Sequence, residues 1–225
     1  MARAATAVGL SPGPVPNGKR MRAKRRTTQA AGSIVALRWQ PMARRPRFEL
    51  DDGIYHVTAR GNRRQLIFGD DLDRRRFFRL LGTVAVAHGW CCGTYCLMPN
   101  HFHLLLETAR AELSNGMRYL NGVYAQSFNR RYQLDGHLFQ GRFHARLVES
   151  DWHLLEVGRY VVLNPVRAGL CSGPGEWAWS SYNALVGTAA MPTFLARDWF
   201  LGHFGSDPVR ARQRYARFVF DRLTG

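Results

Sequence analysis

Two apolar runs, WCCGTYCLM at residues 90–98 and HFHLLLET at residues 101–108, are separated only by Pro99-Asn100, a turn pair. Both read as strands. Successive side chains of a strand point to opposite faces, so Phe102, Leu104 and Leu106 turn toward a core while His101 and His103 stand side by side on the other face. Two imidazoles at that spacing suit two cis ligands of one divalent ion. They suit equally a pair of hydrogen-bonded polar histidines, and the pair alone does not choose between the two.

The surrounding pattern makes this an α+β chain. The run IYHVTARGN after Gly53 has strand-like alternation and ends in Gly61-Asn62 turn chemistry. Asp70-Asp71 can cap a helix carrying Leu72, Phe77, Leu80, Leu81 and Val84 on one stripe, with Gly89 as its stop. A second helix is expected from Glu112 to Tyr132, with Leu113, Met117, Leu120, Tyr124 and Phe128 aligned. In RFHARLVE, Phe143, Ala145 and Leu147 alternate with Arg142, His144 and Arg146, which gives a strand with a basic face. Ser150 or Asp151 then caps a third helix, expected to end near Asn164 because the residue before Pro165 is biased away from helical geometry. This order of elements predicts a ferredoxin-like antiparallel sheet with helices packed on one face. An ordered aromatic loop with a short helix, GPGEWAWSSYNALVG, and an Arg-rich terminal helix from Pro208 to Arg222 follow.

The third helix, DWHLLEVGRYVVLN, is apolar almost all round, yet Glu156, Tyr160 and Asn164 recur at intervals of four along one face. A buried tyrosine with a partnered hydroxyl, and Asn164 capping the helix end, would explain this stripe. So would a nucleophilic tyrosine with a carboxamide one turn away to complete the coordination of an ion held by the histidines. Tyr124 is the rival tyrosine, but its place on an apolar stripe is accounted for by packing.

Charge narrows the partner. Thirty-two Lys and Arg against 16 Asp and Glu leave a net charge of +16, which favours a polyanion, nucleic acid first and an anionic membrane surface second. No apolar run is long enough to span a bilayer, and no signal-peptide core is visible, so no membrane association is expected. The four cysteines, Cys91, Cys92, Cys96 and Cys171, form no CxxC pair and suit a reducing compartment, which points to the cytoplasm. Residues 1–45 read as a disordered basic arm, with Met42 as an alternative start. Residues 46–187 would then form the working domain, and residues 188–225 a C-terminal extension with the basic helix.

Phosphoryl transfer makes these residues one set. A divalent ion on His101 and His103 would polarise a phosphodiester, and Tyr160 would attack phosphorus once a nearby cation favours its phenolate. Arg60, Arg63, Arg64, Arg142, His144 and Arg146 are candidates for holding the DNA backbone, or else a solvated basic face. The ordered blocks YHVTARGNRRQLIF, YCLMPNHFHLLLE, FNRRY with GHLFQGRF, RYVVLNPVRAGL and WAWSSY resemble the REP-associated tyrosine transposases, of the HUH class of single-tyrosine DNA transposases. That resemblance spans roughly residues 42–187. It implies a ferredoxin-like HUH nuclease fold and a substrate of single-stranded DNA with palindromic hairpins. It also implies His101 and His103 as metal ligands with Asn164 as the third, Tyr160 as nucleophile, and Mg2+ or Mn2+ as the ion. The expected reaction is cleavage and rejoining of DNA through a covalent 5′-phosphotyrosine, by a monomer or a dimer. A non-catalytic hairpin-binding protein and a metal hydrolase acting through water are the competing expectations.

Overall fold

The computed structural model describes residues 49–223; the expected basic arm and the Met42 start lie outside the described residues. Four strands, β1 (Gly53–Arg60), β2 (Trp90–Met98), β3 (His101–Thr108) and β4 (His144–Leu147), form one sheet in the order β2-β3-β1-β4. Every neighbouring pair is antiparallel. The Pro99-Asn100 turn sets the β2–β3 register, with Met98 opposite His101 and Cys96 opposite His103. On β1, Arg60 pairs with His101 and Thr58 with His103. Residues directly opposite share a face, so His56, Thr58 and Arg60 lie with the histidines, as do His144 and Arg146 of β4. Tyr55, Val57, Ala59, Phe102, Leu104 and Leu106 occupy the other face, all buried.

Two helices cover that apolar face. In α1 (Asp71–His88) the Asp70 side chain accepts from the Leu72 and Asp73 N–H groups, and Gly89 closes the helix at a left-handed φ of 61°. The helix α2 (Leu113–Tyr132) buries all five residues of its expected stripe. Phe77 of α1 meets Phe102 with ring centres 4.8 Å apart and Tyr124 at 5.2 Å. The Tyr124 hydroxyl donates to the Ile67 carbonyl at 2.5 Å, and burial raises its pKa far above the usual phenol value. Tyr124 is therefore a core residue.

The third helix, α3 (Asp151–Arg167), lies on the opposite, histidine-bearing face, against β2 and β3. Helices thus cover both faces, not one as expected. The reason is that the second face is largely apolar too: Leu105, Cys96, Met98 and Thr94 are buried there, and α3 turns Leu154, Val157 and Val161 toward them. Nor does α3 stop at Asn164. It runs through Pro165 to Arg167, although Pro165 has no N–H to offer the Val161 carbonyl. The Asn164 side-chain amide donates instead, to the Tyr160 carbonyl at 2.8 Å and to Val161 at 3.4 Å. Gly169, with φ of 67°, ends the element.

The C-terminal segments brace both β2 and α3. Trp177 Nε1 donates to the Leu97 carbonyl, and Tyr95 N–H donates to Ser181 Oγ, so the aromatic loop leading to α4 (Tyr182–Val186) is tied to β2. Between α5 (Arg197–Gly202) and α6 (Pro208–Phe220), Phe200 and Tyr215 are fully buried, with rings 5.7 Å apart. Phe200 fits against α3 only because residue 158 is glycine: a Cβ there would come within 2.5 Å of the ring. Arg159 ion-pairs with Glu156, lies 4.2 Å over the Phe218 ring and donates to the Phe218 carbonyl. Glu156 thus belongs to this brace.

Gly158→Ala should cost about 1–3 kcal/mol by overpacking against Phe200. Gly122→Ala on α2, where no atom lies within 4 Å, should instead stabilise by up to about 1 kcal/mol. Urea denaturation of both variants reads the contrast.

Candidate functional site

The site is built where α3 crosses the polar half of the histidine face. The His101 and His103 rings lie 5.0 Å apart at 74° to one another. Tyr160 presents its ring edge-on to His103 at 5.6 Å and to His56 at 5.8 Å. At 36% exposure the tyrosine remains open to solvent, whereas His103 is only 5% exposed. Asn164 follows one helical turn after Tyr160. Its amide nitrogen is engaged by helix carbonyls, so its Oδ1 is the atom left to accept or ligate.

Each histidine of the pair is held through Nδ1. His101 Nδ1 meets Asn100 Oδ1 at 2.6 Å, and His103 Nδ1 meets His56 Nε2 at 3.0 Å. The Nε2 of His103 is buried without a hydrogen-bond partner. A buried imidazole nitrogen with a free lone pair fits the chemistry of a metal ligand. Among the described residues no group of three or more His, Cys, Asp and Glu converges to hold an ion, so a cation on His101 and His103 must complete its shell with other oxygens. Asn164 Oδ1, water and phosphate oxygens are of the type that Mg2+ and Mn2+ take.

Burial keeps these imidazoles neutral. It pulls His103 down to about 2 from an ordinary 6.5, helped by His56, His101 and Arg60. Burial with Arg60 lowers His101 to about 4, and burial with Arg146 and His153 lowers His56 to about 4. A ring that resists protonation keeps a lone pair free at neutral pH.

The structure gathers only part of the expected basic set around the pair. Arg60, His144 and Arg146 are exposed on the histidine face. Arg63 and Arg64 are exposed in the turn after β1, at left-handed φ of 52° and 62°. Arg142 is exposed just ahead of β4. Sequence reasoning missed three residues. His56 was visible as the polar alternate of β1, but only the strand register carries it to His103. Asn100 read as turn chemistry, although it also grips His101. Arg167, whose guanidinium lies 5.0 Å over the Tyr160 ring, was hidden by the expectation that α3 stops three residues earlier.

Comparison with known proteins places the chain in a family. A family model described as an IS200-like transposase covers residues 50–164, just over half of the chain, including the sheet and Tyr160. The chain belongs to the IS200-like transposases. A protein of Haemophilus influenzae named as a REP-associated tyrosine transposase is 25% identical to this transposase, over 46% of this chain and 63% of the relative. The match thus spans less than two thirds of that relative's length. A solved REP-associated tyrosine transposase bound to a REP hairpin superimposes with a TM-score of 0.55 at 18% identity, covering 67% of this chain and 90% of the other. That likeness supports the HUH-type α+β fold. Among the described residues of the transposase, no helix is long and apolar enough to cross a membrane.

Neutral buried histidines make stability acid-sensitive. Their folded values lie below 6.5, so the unfolded chain binds more protons and stability drops as pH falls from 6.5 toward 4. By pH 5 the loss from His103 alone should be on the order of 2 kcal/mol. Melting temperatures at pH 7.5 and pH 5 check this, and His103→Gln should flatten the dependence.

Proposed function

We propose that this transposase cleaves and rejoins single-stranded, hairpin-containing DNA, with Tyr160 as nucleophile and a covalent 5′-phosphotyrosine intermediate. The observation that carries the reading is the edge-on approach of Tyr160 to His103, whose Nε2 is buried and unpartnered. His101, His103 and Asn164 would hold Mg2+ or Mn2+, which when bound draws charge from a phosphodiester oxygen. Tyr160 is open enough to solvent for water to take its hydroxyl proton during attack, and Arg167, lying over the ring, brings a cation to the side from which a phosphate would approach. The phenolate oxygen bonds to phosphorus as the bond to the 3′ oxygen breaks, leaving a 5′-phosphotyrosine and a free 3′-hydroxyl. Attack of a 3′-hydroxyl on the phosphotyrosine reverses the step or joins a new end. Arg60, Arg146 and His144, on the same face, steer the backbone to the tyrosine, while Arg63, Arg64 and Arg142 extend the cationic rim. Hairpin DNA as the partner is supported by the solved relative bound to a REP hairpin.

Tyr160→Phe should abolish the covalent protein–DNA adduct on denaturing gels while hairpin affinity stays within about twofold. An adduct that survives removes Tyr160 from the mechanism. Cleavage without any adduct in the unaltered protein would favour the water-activating hydrolase, and binding without cleavage the non-catalytic reading. Arg60→Ala should weaken binding across all sequences and reduce the slope of log affinity against log salt by about 0.7, the value for one contact to single-stranded DNA. Binding isotherms at several salt concentrations measure it.

A further inference from the structure

Three imidazoles meet at this site, but the third is turned away from the role of a third ligand. His56 stacks on His103 with ring centres 5.2 Å apart and 18° between planes, and its Nε2 faces His103 Nδ1 at 3.0 Å. Two neutral rings meeting through these nitrogens share one proton, so one donates and the other accepts. Were the His103 proton on Nε2, it would be a buried N–H with no acceptor, since that nitrogen has no partner. Placed on Nδ1, the proton is donated to His56 Nε2, and Nε2 of His103 becomes a free lone pair.

His101 reaches the same state by a different route. The Asn100 Nδ2 donates to the Arg64 carbonyl at 3.0 Å, which fixes the amide so that its Oδ1 is the atom facing His101 Nδ1 at 2.6 Å. An oxygen there can only accept, so Nδ1 carries the proton. The Asn100 backbone carbonyl also accepts from Gly61 N–H at 2.8 Å, anchoring the turn to the end of β1. We propose that His56 and Asn100 are positioning residues that hold His103 and His101 in the Nδ1–H tautomer, with both Nε2 lone pairs turned to the ion. This rests on the reading of His101 and His103 as the metal pair. Partners of the second ring nitrogen set the tautomer and orientation of metal-binding histidines, and their loss costs about 10–100-fold in metal affinity.

Two measurements on the full-length protein test it. Long-range 1H–15N correlation spectra of the imidazoles, taken without metal at pH 7.5, should show both His101 and His103 protonated at Nδ1. An Nε2-protonated His103 overturns the assignment and leaves the metal reading standing. Titration with Mn2+ followed by electron paramagnetic resonance should then show affinity falling about 10–100-fold in His56→Leu. His56→Gln, which keeps an acceptor near the same place, should recover most of that loss, whereas a merely space-filling role would make the leucine variant the better substitute. Equal Mn2+ affinity in His56→Leu and the unaltered protein defeats the inference alone. Absence of Mn2+ and Mg2+ binding in the unaltered protein, with and without a hairpin oligonucleotide, defeats the metal reading and this inference together. Should His56→Leu fail to fold, the tautomer spectra of the unaltered protein still decide.

Discussion

The site depends on the antiparallel pairing of β1 with β3. That ladder runs without interruption from Gly53 opposite Thr108 to Arg60 opposite His101. A slip of one residue would send every β1 side chain to the other face, moving His56 from beside His103 into the core beneath Phe77 and Tyr124. The register is protected because the alternate β1 residues Tyr55, Val57 and Ala59 are buried at 3% exposure or less. Burial of one face therefore aligns the polar residues of the other. On its other edge β1 pairs with β4, which brings His144 and Arg146 into line, so the basic rim and the imidazoles share one register.

Against this fixed sheet, α3 supplies Tyr160, and its placement comes from both sides. Leu154, Val157 and Val161 pack inward, Phe200 fills the notch at Gly158 beside β2, and Phe218 lies under Arg159. The helix is held as a rigid bar whose exposed edge carries Tyr160, Asn164 and Arg167. Continuation through Pro165 matters chemically, because it lays Arg167 two turns from Tyr160 over the same ring. Asn164 eases that continuation, because its side-chain amide reaches the Val161 carbonyl that the proline leaves without a donor as well as the Tyr160 carbonyl, and its own oxygen is kept for the site.

The polarity of the site follows from its depth. His103 sits under Tyr160 where water cannot compensate a proton, so the ring stays neutral and its Nε2 stays bare. The arginines remain in solvent, where charge costs little and a phosphate backbone can reach it. The site thus has neutral lone-pair donors inside and arginine cations outside.

Local pattern was enough for much of this. The strands, the α1 and α3 caps, the α2 stripe, the α1 stripe apart from Leu72, which is exposed, the inward turn of Phe102, Leu104 and Leu106, and the pairing of His101 with His103 on one face all follow from alternation, capping chemistry and turn residues. The spacing of Tyr160 and Asn164 was equally legible, since one turn of helix relates them. What alternation could not state was which strands lie side by side, and so His56 read as an ordinary polar alternate. Nor could it show that Leu105 and Cys96 make the second face apolar and draw α3 across it, or that packing overrides the local bias before Pro165. The sequence by itself determined which side chains share a face of each element, because that depends only on backbone periodicity. The tertiary structure alone decided which faces meet, because strand register and helix docking are settled by burial summed over residues far apart in the chain.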